Sequence, residues 1–147
     1  VCMRYLRNRN DAEDALQDSF IQIHSNINLY RDIGSFKSWM IKIAVNVCLK
    51  HIRKYKATFD LESVMIEESN DVSIVDEMNA KEILLMLDQL PEAHRLVFNL
   101  HVIEGYSHIE IGKILNIPES SSRVYLLRAR QRLQEMTNTY SLKIVNK

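Results

Sequence analysis

Ser107 stands three residues ahead of Glu110 at the head of the stretch SHIEIGKILNIPESSSRVYLLRARQRLQ. That spacing is a capping box: the hydroxyl takes the backbone amide of the glutamate, and the carboxylate reaches back to the amide of the serine. It predicts a short helix over Ser107–Leu115. Asn-Ile-Pro-Glu at 116–119 then reads as a turn, and a longer helix follows to about Met136. In that helix Ser122, Leu126, Ala129 and Leu133 recur at helical spacing and form an inward face. Arg123, Val124, Leu127, Arg128 and Gln131 are then expected to face outward. A short capped helix, a tight turn and a longer helix carrying Arg123, Arg128, Arg130 and Arg132 make a helix-turn-helix plan.

In that plan the second helix enters the major groove of DNA. Arginine forks reach guanine edges or phosphates, and Val124 and Leu127 suit thymine methyl groups. Ser120 and Ser121, with free amides in the first turn, suit a backbone phosphate. Patterning alone leaves a second reading open: a solvated helix whose Val124 and Leu127 pack elsewhere.

The rest of the chain is also expected to be helical. Its 147 residues contain three glycines and two prolines, too few for a fold built from tight turns. Asp11 is expected to cap a helix DAEDALQDSFIQIHSNI with Ala12, Ala15, Leu16, Phe20 and Ile23 on one face. Ser35 is expected to cap a long helix from Phe36 to Lys56. Phe36, Met40, Ile43, Ala44, Val47 and Ile52 line its inner side, and Trp39 is a core anchor beside them. Lys42, Asn46, Lys50, Arg53 and Lys54 fall on one stripe of the same helix. Such a stripe is ordinarily a solvated face, but its asparagine can also hydrogen-bond a base edge. Further on, Pro91 suits the start of a helix and Gly105 its left-handed end.

The zero net charge conceals a partition. Residues 1–58 carry ten Lys/Arg against five Asp/Glu, residues 59–90 one against nine, and residues 91–147 eight against five. Two basic ends flank an acidic middle, which points to two separate anionic contacts. The fold expected is all-α: a helical domain over 1–57, a flexible acidic linker over 58–72, a second helical domain over 73–136 and a tail over 137–147.

Two motifs in series carry a family resemblance. NRNDAEDALQDSFIQIH followed by GSFKSWMIKIAVNVCLKHIRKYK resembles region two of bacterial sigma factors of the extracytoplasmic-function group. LPEAHRLVFNLHVIEGYSHIEIGKILNIPESSSRVYLLRARQRLQ resembles region four of the same group. The resemblance implies that Asp11, Glu13, Asp14, Gln17 and Asp18 dock on core RNA polymerase, together with the apolar surface of Leu87–Val102. It implies that Lys37, Lys42, Asn46, Lys50, Arg53 and Lys54 meet the minus-ten promoter element, and that the loop Tyr30–Lys37 captures an unstacked base. Ser120, Ser121, Arg123, Val124, Leu127 and Arg128 would meet the minus-thirty-five element. Core polymerase and promoter DNA are the implied partners. An anti-sigma factor is a further partner common in the family, and no residue specifies one here. The family has another helix ahead of this point, so region two is expected to be truncated at its start. Lys50 stands where the family usually has Asp, Ser122 replaces a common Val and Tyr125 a common Arg.

Other chemistries find less support. Cys2 and Cys48 give neither a disulfide framework nor a zinc spacing, and read as buried thiols of a reducing cytoplasm. His94, His101 and His108 are evenly spaced, but Gly105 interrupts the helix and no Cys or carboxylate completes a metal site. No cofactor, catalysis or membrane insertion is expected. The runner-up is a helix-turn-helix regulator that binds operator DNA as a dimer without polymerase.

Overall fold

The computed structural model describes residues 1–31, 34–55 and 80–145. Every regular element among them is helical. The chain divides into two compact units, Val1–Thr58 and Phe59–Lys147. The acidic linker over 58–72 and the expected helix start near Ser73 lie outside the described residues.

In the first unit a single helical turn, α1 (Cys2–Tyr5), leads into α2 (Arg9–Asn26), and after a 3-10 turn at Ile27–Leu29 comes α3 (Phe36–Tyr55). The cap of α2 is Asn8, whose side chain accepts the amide of Asn10, so the helix begins earlier than expected and Asp11 lies inside its first turn. Asparagine and aspartate cap almost equally well, and the upstream residue was the one in extended backbone. The core joins Tyr5 and Leu6 to Ala12, Ala15 and Ser19 of α2. From α3 come Ala44, Val45, Val47, Cys48, Leu49 and Ile52. Ser19 tolerates burial because its hydroxyl donates to the Ala15 carbonyl.

The apolar face expected on α2 is only half covered. Leu16 and Phe20 are 46% and 62% exposed, and Phe36 at the head of α3 is 39% exposed. Leu16, Phe20 and Ile23 line an apolar groove of about 620 Å³ with Met3, Met40 and Ile41. Trp39 is half-buried in an aromatic cluster, its ring 5.4 Å from Tyr30 and 5.6 Å from Phe36.

The second unit contains α4 (Ala80–Asp88), α5 (Glu92–Phe98), α6 (His108–Leu115) and α7 (Glu119–Val145). Pro91 sits at the cap of α5. The helix expected to run from there to Gly105 changes pitch, and Asn99–Ile103 form a π-helical turn closed by the Glu104 amide on the Asn99 carbonyl. Gly105 then takes a φ of 79°. Met86, Leu87 and Leu90 pack on Ala129 and Leu133 of α7, with Phe98 and Met136 at the margin. Each such buried leucine contributes about 1.5–3 kcal/mol. Leu87, Leu90, Leu96, Val97 and Leu100 are all buried, so the large apolar residues expected to form a surface on Leu87–Val102 belong mainly to the core; Val102 at its far end is exposed. The segment expected as a tail after Met136 continues α7 to Val145, since no Gly or Pro interrupts it.

Candidate nucleic-acid interface

The helix-turn-helix is set by local chemistry. Ser107 caps α6 with both halves of the capping box in place: its hydroxyl accepts the Glu110 amide, and its own amide donates to Glu110 Oε2 at 2.8 Å. Asn116 ends α6 in the left-handed region at φ 55°, where asparagine is among the few side chains at ease. The Ile117 amide returns to the Gly112 carbonyl at 3.0 Å, and the Ser122 amide to Pro118, so the turn is closed by backbone bonds at both ends. Glu119, Ser120 and Ser121 are the first three residues of α7, the turn whose amides have no partner within the helix.

The inward stripe of α7 is as the spacing predicts: Ser122, Leu126, Ala129 and Leu133 are all buried. The stripe is wider than four residues, however. Val124 is 7% and Tyr125 2% exposed, so Val124 is not on the outward face. The cause is that α7 is flanked on two sides, by α5 and by α6, and the Tyr125 ring lies 5.2 Å from His94. The surface left to α7 is exposed Ser120 and Arg123 with half-buried Ser121, Leu127 and Arg128, and exposed Gln131 and Arg132 beyond them. Arg123 is held by Glu119 one turn back, and Arg132 by Glu135 at 3.0 Å.

On the first unit, Lys37, Lys42, Asn46, Lys50, Arg53 and Lys54 are all exposed on α3, and the last five share a stripe opposite the buried face. At the head of this helix Tyr30 packs edge-on to Phe36 at 5.1 Å, and its hydroxyl donates to the Gly34 carbonyl at 2.8 Å. Gly34 has a φ of 110°, a conformation that favours glycine. Asp32 and Ile33 of the expected base-capturing loop lie outside the described residues.

The acidic helix α2 presents Glu13, Asp14, Gln17 and Asp18 to solvent, with Asp11 half-buried. Two of these acids are already engaged. Glu13 accepts from Arg9 at 2.8 Å, and Asp18 Oδ2 lies 2.9 Å from His51 Nε2. The second bond ties α2 to α3, a structural role that the motif did not reveal.

Sequence reasoning passed over Arg95, and it weighed His101 and His108 only as members of a metal site. Arg95 is 1% exposed, and its Nη1 donates to Asp88 at 3.2 Å. His101 and His108 stack ring on ring, with centroids 4.3 Å apart. The polar Ser122 in an otherwise apolar stripe was the available signal for a buried partner, and that partner is His108. Cys2 and Cys48 are both buried thiols, and burial together with the nearby Cys2 thiol pushes Cys48 far up.

Known proteins share this arrangement. The family Sigma-70 region 2 matches residues 1–58, and Sigma-70, region 4 matches residues 80–133. The chain is 29% identical to the ECF RNA polymerase sigma factor SigW of Bacillus subtilis, over 92% of this chain and 80% of that one. It is likewise 29% identical to SigM of the same organism, over 90% of this chain and 83% of that one. The fold matches the sigma factor RpoE solved with the anti-sigma factor NepR from Bartonella quintana, with a TM-score of 0.58 at 20% identity, covering 93% of this chain and 87% of that one. Two sigma regions in their proper order, on two separate helical units, place the chain in the sigma-70 family as an extracytoplasmic-function sigma factor.

Proposed function

We propose that this sigma factor reads a promoter at two points, with α7 on the minus-thirty-five duplex and the α3 stripe on the minus-ten element. A sigma factor directs core RNA polymerase to promoters and assists their opening. The observation that carries the division of labour is that each unit has its own basic helical face, exposed Arg123 with half-buried Arg128 on one and exposed Lys42, Asn46, Lys50, Arg53 and Lys54 on the other. Two modest contacts on one chain add up to selective binding when both can engage at once. The aromatic cluster of Tyr30, Phe36 and Trp39, with Phe36 exposed and the other two half-buried, supports a base-holding role for the head of α3, since accessible ring faces stack on unpaired bases.

The exposed polar residues Glu13, Asp14 and Gln17 of α2, bordered by exposed Leu16, Phe20 and Ile21, are the proposed docking face for core polymerase. The chain performs no bond chemistry of its own in this reading and acts in the cytoplasm; no described helix is long and apolar enough to cross a membrane. An anti-sigma factor, as in the Bartonella complex, is the natural third partner.

The test is assembly. The chain and core polymerase should co-elute and give promoter-dependent transcripts, and Glu13→Lys with Asp14→Lys should weaken the complex while leaving helicity intact. A chain that forms no complex with core polymerase, yet binds a palindromic duplex as a dimer, would replace this reading with the operator-binding one.

A further inference from the structure

The ring of His108 sits at a junction of three elements. It is the first residue of α6. It stacks on His101 of the π-helical turn, with the ring planes only 15° apart. Its Nδ1 lies 2.8 Å from the hydroxyl of Ser122, which is 0% exposed within α7. Ser122 is followed directly by Arg123, which is exposed on the face proposed to meet DNA. His101 is itself fixed, because its Nδ1 can only donate to the Tyr106 carbonyl 2.8 Å away. One end of the chain of contacts is therefore anchored in the scaffold and the other in the DNA-facing helix.

We propose that His108 is a positioning residue for promoter recognition, which in its neutral form holds α7 at the angle that presents Arg123. The proposal rests on the reading of α7 as the duplex-contacting helix.

The neutral form matters for two reasons. A neutral imidazole shares one proton with the Ser122 hydroxyl in either direction. A protonated ring can only donate, which forces the hydroxyl to accept and to turn its own proton elsewhere. The surroundings also oppose the charge. Burial, the stacked His101, Arg123 and Arg130 push the His108 imidazole below its usual range, with Glu119 pulling the other way. Glu110, the acid on the same helix, is committed to capping Ser107. A histidine whose folded value is lowered contributes stability that is complete above the unfolded value. That contribution is lost as the pH falls from about 6.5 toward the folded value. The grip on α7 is then full near neutrality and loosens on mild acidification.

The test compares the parent full-length chain with His108→Asn and Ser122→Ala. Asparagine keeps an amide near the Nδ1 position and does not titrate. Two readouts are followed between about pH 7.5 and pH 5.5, the span in which a histidine changes charge. One is affinity for short labelled duplexes that the parent enriches from a randomised pool. The other is amide hydrogen exchange in the first turns of α7. On acidification the parent should lose about two- to ten-fold in affinity, the equivalent of one net hydrogen bond, and exchange faster. His108→Asn should flatten both profiles, and Ser122→Ala should show the loosened behaviour already at the higher pH. The proposal is overturned if His108→Asn keeps the parent's pH profile, or if Ser122→Ala matches the parent in both readouts. If the parent enriches no duplex at all, the DNA reading of α7 falls, and hydrogen exchange alone decides the role of His108.

Discussion

A side chain on Gly112 would meet the carbonyl oxygen of Ile117: an added Cβ would stand 2.9 Å from it. That oxygen belongs to the turn between α6 and α7, so the clash is with backbone that cannot swing aside. Gly112→Ala should gain about 1 kcal/mol of helix propensity and lose more to the displaced turn. The net expectation is destabilisation of about 1–2 kcal/mol, read as an earlier urea midpoint. A midpoint equal to or later than the parent's would show that the turn yields freely.

Arg95 is a buried cation with a half-exposed partner, Asp88. The two ends of this pair should respond unequally to mutation. Asp88→Ala leaves the guanidinium buried without one of its partners, whereas Arg95→Met fills the space with an apolar chain and leaves a carboxylate that water can reach. Asp88→Ala is therefore expected to cost about 1–3 kcal/mol, and Arg95→Met less. Equilibrium unfolding of both variants checks the order.

The aromatic cluster at the head of α3 should be cooperative. Trp39 contacts both Tyr30 and Phe36, so Trp39→Ala removes two ring contacts along with its own burial. A loss of roughly 2–4 kcal/mol is expected, somewhat under a fully buried tryptophan because this one is half-buried. Tyr30→Phe keeps the rings and loses only the bond to Gly34, for about 0.5–1 kcal/mol. Thermal melts of the two variants separate packing from hydrogen bonding.

Arg123 is restrained by Glu119, and DNA phosphates would compete with that carboxylate. Glu119→Gln should strengthen duplex binding modestly, while Arg123→Ala weakens it. If Arg128 forks onto a guanine, Arg128→Ala should cost about 1–3 kcal/mol at a single base position. If it touches only phosphate, the loss should be uniform across sequences and the salt slope should fall by about one unit. Arg132→Ala should be the mildest. Binding titrations at several salt concentrations distinguish these cases, and a silent Arg123→Ala would discard the proposed face.

How much of this was readable in the chain depends on the range of the interaction. The ends of α6 were legible because a capping box is complete within four residues, and Gly105 announced its left-handed turn. The register of α7 was legible as well, from Ser122, Leu126, Ala129 and Leu133. Its outward face was misjudged at Val124 because the width of a buried stripe depends on how many helices flank it, and that is fixed by residues far off in sequence. For the same reason the spacing on α2 marked Leu16 and Phe20 as apolar without revealing whether anything covers them. The π-helical turn has no distinct pattern, since its residues suit an α-helix equally well. The exposure of the basic stripe of α3 was legible because exposure on one side of a long helix follows from burial on the other.

The unbroken length of α7 has a mechanical consequence. Its 27 residues form a rod of about 40 Å, with Arg123 near one tip. Ala129 and Leu133, the residues seated against Met86 and Leu87 of α4 and Leu90 just beyond it, lie partway along it. A small tilt about that seat would swing Arg123 and the far end in opposite directions, so a partner gripping the distal turns would re-aim the proposed DNA face without touching it.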